Sequence, residues 1–332
     1  MYNINDIIRE YGYVKITALQ KVNYKEEILR LKKEKNVVIL GHYYIDGELQ
    51  DISDFVGDSL ALAQKAASTQ ADIILFLGVH FMAETAKILN PSKKVLLPDL
   101  NAGCSLADSC PATGFSEFLQ NYPDHIVISY INTTADIKAL TDIICTSSNA
   151  VQIVQSLPID QKIVFAPDKN LGNYISSVTG RDMEIWDGAC HVHQQFSLER
   201  ILELKNEHPD ALILAHPECN KPVLLLADYI GSTSALLKFS QTNEAQKYII
   251  ATESGILHQM RLSNPNKYFI PAPPEDSTCA CNDCNFMKLN TMEKVYNTLV
   301  HELPEVILDE QLSKKAYHPI KRMLEISEQL GL

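Results

Sequence analysis

A polar frame recurs three times in this chain, at intervals of 88 and 86 residues, with no slippage inside it. It reads GHYYIDGELQDISDFVGDS from Gly41, SYINTTADIKALTDIICTS from Ser129 and AHPECNKPVLLLADYIGST from Ala215. Each copy begins where an apolar, β-branched run ends (VVIL, HIVI, ALIL) and next places a polar ring: His42, Tyr130 or His216. Two residues on stands Tyr44, Asn132 or Glu218. Twelve residues past the ring, Asp54, Asp142 or Asp228 leads DFVGDS, DIICTS or DYIGST; a hydroxyl (Ser59, Ser147, Thr233) follows five residues later. Three copies of one frame require three homologous units.

The 332 residues leave room for all three units and two flanking segments. Short apolar strands alternate with helical stretches inside each unit, which predicts α/β/α domains with parallel sheets and right-handed crossovers. The expected division is a helical segment at 1–36, α/β repeats at 37–124, 125–210 and 211–304, and a C-terminal helix at 305–332 packed back on the body. Ligands of such sheets sit beyond the carboxyl ends of the strands. The repeated polar residues all follow strand ends, so three units about a pseudo-threefold axis would bring them to one central site. A linear array is the alternative.

Composition restricts what such a site can bind. A formal net charge of -12 argues against nucleic acid or an anionic membrane as partner. An anionic substrate must then be held by local dipoles. The start, MYNINDIIREYGYVKI, lacks a basic region followed by a long apolar run, and no window approaches the roughly 18 apolar residues of a membrane span. Eight cysteines without an export signal point to thiol chemistry or metal in a cytoplasmic protein.

The loop after the fourth strand supplies one cysteine per unit: Cys104 in DLNAGC, Cys190 in WDGAC and one of Cys279, Cys281 and Cys284. Three converging thiolates suit a metal centre. Zinc would take a fourth ligand, whereas an iron–sulfur cluster can leave one iron open. Cys281 and Cys284 form a C-x-x-C that fits zinc ligation or a reversible disulfide. Cys110, Cys145 and Cys219 match nothing in the other units and read as packing residues or incidental thiols. Ser59, Ser147 and Thr233 read as residues that open helices, where a hydroxyl caps free N–H groups and helps them hold carboxylate or phosphate. His42, His216 and Glu218 are the acid–base candidates. Tyr44 and Tyr130 either orient a carbonyl and pass a proton or simply pack, and His193 lies close to the metal ligand Cys190. Asp54, Asp142 and Asp228 precede strands, which suits turn or capping duty.

Taken together, GHYY, DFVGDSLALA, PDLNAGCSLAD, SYINTTADIKA, CTSSNA, GACHVH, HPEC, YIGSTSALL and CNDCNFM resemble the quinolinate synthases, in family order from about residue 36 to 290. The resemblance implies three α/β domains around one 4Fe-4S cluster held by Cys104, Cys190 and, from C-x-x-C-x-x-M, Cys284. It implies condensation of iminoaspartate with dihydroxyacetone phosphate to quinolinate, with loss of phosphate and two waters, in de novo NAD synthesis. The open iron would act as Lewis acid. Substrate contacts carry over to His42, Ser59, Tyr130, Asn132, Ser147, His193, Ser232 and Thr233, and proton transfer to Glu218, His216 and Tyr44. An L-aspartate oxidase is the functional partner that the reaction implies, although no docking site for it is visible. Asn285 stands where many members have proline, and the C-x-C of Cys279 and Cys281 leaves a family-like regulatory disulfide open. An anion-binding module with structural zinc is a competing class, but it gives no reason for the paired acid–base residues. A hydro-lyase with an open iron is a second.

Overall fold

The computed structural model of the protein describes residues 3–16, 22–275 and 282–332. The chain forms two compact units, one from Met1–Cys104 with Asn285–Tyr317 and the other from Ser105–Cys284 with His318–Leu332.

The first unit holds one four-stranded sheet: β1 (Val37–His42), β2 (Phe55–Gly57), β3 (Ile73–Leu77) and β4 (Lys94–Leu96), in the order β2-β1-β3-β4. The second unit holds two. One comprises β5 (Ile126–Tyr130), β6 (Ile143–Cys145), β7 (Ile163–Ala166) and β8 (Glu184–Ile185), ordered β6-β5-β7-β8. The other comprises β9 (Leu212–Ala215), β10 (Tyr229–Ile230), β11 (Lys247–Ala251) and β12 (Tyr268–Pro271), ordered β10-β9-β11-β12. All strand pairs are parallel, and the same strand order recurs three times. The runs read as strands from their β-branched, uninterrupted hydrophobicity are buried along their length apart from the half-buried Ile126 at the start of β5, as central strands with both faces covered must be.

The aspartate of each frame sets this register. Asp54, Asp142 and Asp228 sit just before the edge strand, and their Oδ2 atoms accept from the N–H of Ile39, Val127 and Ile213, each at 2.8 Å. Their own N–H groups donate back to the carbonyls of the same three residues at 2.9, 2.9 and 2.8 Å. A buried strand cannot leave such groups unpaired. Capping duty thus takes the form of a clamp on the neighbouring strand, and it fixes Leu40 against Phe55, Ile128 against Ile143 and Leu214 against Tyr229.

The hydroxyls behave differently from expectation. Helix Ser59–Ser68 is capped by Asp58, whose Oδ1 accepts from Ala61 N at 3.1 Å, and helix Thr233–Thr242 by Ser232, whose Oγ accepts from Ala235 N at 3.3 Å. Ser59 and Thr233 are the first helical residues, one place too late to cap. Ser147 opens no helix: Asn149 Oδ1 accepts from Thr146 N at 2.6 Å to form a tight turn, and the helix begins at Ala150. Three further short helices, Gly47–Ile52, Ala135–Lys138 and Lys221–Leu226, fill the stretch between ring and aspartate in each frame.

The first unit is closed by chain from far along the sequence. Helix Tyr24–Glu34 packs on helix Met292–His301, with Ile28, Leu31, Val295 and Leu299 buried and the Tyr24 and Tyr296 rings 5.6 Å apart. Beyond that helix the backbone runs antiparallel beside β4, where Leu97 N donates to Pro304 O at 3.3 Å and Val306 N to Val95 O at 2.8 Å. Among the described residues no helix is long and apolar enough to cross a membrane.

Candidate active site

In the second unit, strand ends bring several of the expected residues together. Tyr130 closes β5, while His216 and Glu218 follow β9. Glu218 is buried, and its Oε1 accepts from the Tyr130 hydroxyl at 2.5 Å. Its other oxygen lies 3.1 Å from His193 Nδ1. His216 Nδ1 accepts from the Glu218 amide at 3.3 Å, which leaves the His216 proton on Nε2, 3.1 Å from Ser147 Oγ. The rings of His193 and His216 lie 4.8 Å apart. His193 Nδ1 is also 3.3 Å from Cys190 Sγ, and its Nε2 is 2.9 Å from Thr252 Oγ1.

Electrostatics follow from this packing. Burial pushes the Glu218 carboxyl up, but the His193 and His216 imidazoles, with hydrogen bonds from His193 and Tyr130, more than offset it and hold the group at about 2. Burial and the Glu218 charge push neighbouring Asp168 in the other direction, well above the usual carboxylate range, against backbone hydrogen bonds that favour its ionised form. Cys190, His193 and Glu218 offer three ligand atoms within 4.8 Å of one another, a group able to hold a metal ion.

The cysteine loops obey the internal repeat in a way that primary spacing hides. Three residues beyond the end of the third strand, a backbone N–H donates to the carbonyl two residues before a cysteine. These bonds are His80 N to Ala102 O at 2.7 Å, Lys169 N to Gly188 O at 2.8 Å and Ser254 N to Asn282 O at 3.4 Å. Cys104, Cys190 and Cys284 therefore occupy equivalent backbone positions. Gly188 is required there, because a Cβ would lie 2.4 Å from both Pro167 O and Ser109 Oγ. The three thiols are half-buried. Those of Cys110, Cys145 and Cys219 are buried, and desolvation pushes them up, Cys110 to about 12. Cys279 and Cys281 lie outside the described residues.

In the first unit His42 repeats the His216 geometry: its Nδ1 accepts from Tyr44 N at 3.2 Å. The Tyr44 ring stands edge-on to His42 at 4.5 Å, and its carbonyl accepts from Lys288 Nζ at 3.0 Å. Ser59 is half-buried at the start of its helix. In the second unit, Thr233 is buried, as is Ser232, whose hydroxyl is committed to its cap. Asn132 Oδ1 is a buried acceptor with no protein partner, as is the adjacent Thr133 Oγ1. Asp168, Thr252 and Glu253 were not expected. Each lies one or two residues beyond the end of a third strand, at positions that align only once strand registers are known.

Repeated parallel sheets with imidazoles, a buried carboxylate and half-buried thiols at their strand ends define an α/β enzyme with a metal-capable centre. Residues 26–325 match the model of the quinolinate synthetase A protein family, and the chain belongs to that family. It is 61% identical over 297 residues to a quinolinate synthase of Thermosynechococcus vestitus, covering 90% of this chain and 93% of the relative. Quinolinate synthases of Synechococcus sp. and Synechocystis sp. are 59% and 60% identical over 300 residues, with 90% of this chain and 94% of each relative covered.

Proposed function

We propose that the chain condenses iminoaspartate with dihydroxyacetone phosphate to quinolinate, releasing phosphate and two waters, as a step of de novo NAD synthesis in the cytoplasm. The family and its named relatives support the overall reaction. The observation that carries the residue roles is the buried Glu218 carboxylate, hydrogen-bonded to Tyr130 and His193 and flanked by His216. Ring closure to a pyridine needs protons taken from carbon and delivered to departing oxygens. Glu218, held ionised, takes a proton and returns it to a departing oxygen, while the His216 Nε2–H hydrogen-bonds the substrate at the Ser147 side. The Tyr130 hydroxyl and the Asn132 carbonyl oxygen orient substrate polar atoms. Buried Ser232 and Thr233 exclude water from the substrate and line it with polar groups, as Ser59 does at its own helix start. His42 holds Tyr44 for a second proton-transfer position. The segments 37–124, 125–210 and 211–304 would be the three repeats, with 1–36 and 305–332 flanking them.

The donor set fits a cluster held by Cys104, Cys190 and Cys284: three half-buried thiols at equivalent positions, distinct from the buried remainder. When bound, a 4Fe-4S cluster with one iron left open supplies a Lewis acid for dehydration. The convergence of Cys190, His193 and Glu218 favours a second reading, a single metal ion bound there. Anaerobic reconstitution and assay with both substrates test the proposal. Quinolinate formation with about four irons and four sulfides per chain is expected. One zinc per chain supports the second reading, and no quinolinate from an iron-loaded protein overturns the first.

A further inference from the structure

Two buried carboxylates stand at equivalent places in the second unit, and neither has a part in the chemistry above. Asp168 and Glu253 each lie two residues past the end of a third strand, β7 and β11. Asp168 Oδ2 accepts from the backbone N–H of Cys190 at 3.3 Å, while Oδ1 accepts from Leu171 N at 2.8 Å. Glu253 Oε1 accepts from the N–H of Cys284 at 3.1 Å, while Oε2 accepts from Gly255 N at 2.7 Å. Each thus spans two backbone segments with its two oxygens. One joins the turn that follows the third strand, and the other joins the cysteine loop that follows the fourth.

We propose that Asp168 and Glu253 are paired positioning residues that anchor the Cys190 and Cys284 loops and so fix where those thiols are presented. The first repeat supplies the contrast. Val79 stands at the equivalent position, so no carboxylate reaches the Cys104 amide from there. Its loop is held instead by the His80 N to Ala102 O bond and by Asp99, which accepts from Asn101 N at 2.9 Å and from Lys294 Nζ at 2.6 Å. A carboxylate is needed because both oxygens must accept; an amide offers one acceptor and turns an NH₂ toward an N–H. The relevance to a bound cluster rests on the ligand reading given above, but the anchor itself does not.

The test uses the full chain. Metal-free, reduced protein is pulse-alkylated with iodoacetamide, and modification of each cysteine is followed by mass spectrometry. Loss of one buried hydrogen bond to a loop amide raises local opening by up to about tenfold. Asp168→Asn should therefore raise alkylation of Cys190 by about that factor and leave Cys284 and Cys104 near their original rates. Glu253→Gln should do the converse, and it carries the test by itself if Asp168→Asn, which leaves one acceptor oxygen for both the helix cap and the Cys190 loop, fails to fold. Asp168→Glu and Glu253→Asp keep two acceptor oxygens and should restore most of the protection. An unchanged rate at the anchored cysteine, or an equal rise at all three, overturns the proposal. After anaerobic reconstitution, both amide variants should release iron to a chelator faster than the parent and show an altered visible spectrum. If Cys190→Ser retains full iron and sulfide, the ligand reading fails while the alkylation result, and the anchor, stand.

Discussion

Replacing Glu218 with glutamine keeps an acceptor for the Tyr130 hydroxyl but removes both the base and the charge that the Tyr130 and His193 contacts stabilise. The variant should fold, retain its iron and lose about 10²–10⁴ in turnover, the usual loss for a positioned acid or base. Steady-state assay of protein with matched iron content checks this, and near-normal turnover removes Glu218 from the role. The cysteines allow an equally direct comparison. Serine at Cys104, Cys190 or Cys284 should abolish iron and sulfide binding, whereas serine at Cys110, Cys145 or Cys219 should leave both intact. Cys281→Ser is the decisive control, since it lies three residues from Cys284 and should keep its iron. The histidines, the tyrosines and Glu218 were legible because strand ends place them in a fixed frame. Asp168 and Glu253 were not, because the loops between them and their cysteines differ in length and leave no constant spacing to find.

Each sheet depends on its aspartate clamp, and the three clamps are alike to within 0.1 Å in both bonds. Asp142→Ala strips the acceptor from Val127 N and should cost about 1–2 kcal/mol in urea unfolding, with Asp54→Ala and Asp228→Ala alike. Widely unequal losses would show that register is set by other contacts. The strands and long helices were readable from apolar runs and helical spacing. The short helices Gly47–Ile52, Ala135–Lys138 and Lys221–Leu226 were not, since four to six residues are too few to display a period. Helix caps were misplaced by one residue for a related reason: adjacent polar residues such as Asp58 and Ser59 suit the cap equally by composition, and only backbone geometry chooses.

At the scale of the whole molecule, stability against acid draws on Glu302, whose carboxylate meets Lys35 at 2.9 Å and Lys94 at 2.5 Å. Hydrogen bonds from both lysines lower it from 4.5 to about 2. A carboxyl depressed in the folded state stabilises above its unfolded value, so the contribution is complete above about pH 4.5 and disappears as pH falls toward 2. Partial exposure limits it to about 1 kcal/mol. Thermal melts of Glu302→Gln should lie below the parent at neutral pH and converge with it near pH 2.

The same region ties residues early in the sequence to residues near its end. A chain stopped after Cys284 would lack helix Met292–His301 and the segment beside β4, and should leave residues 1–104 open to proteolysis. During synthesis the first unit emerges first yet must wait for Asn285–Tyr317. At translation rates of about 5–20 residues per second, that wait is roughly 10–40 seconds. For that interval β4 presents an uncovered edge on the ribosome, while Ser105–Cys284 is still being made and leaving the tunnel. An exposed sheet edge is a template for misassociation, so slowing translation past Cys284 should increase aggregation of the first unit before the second.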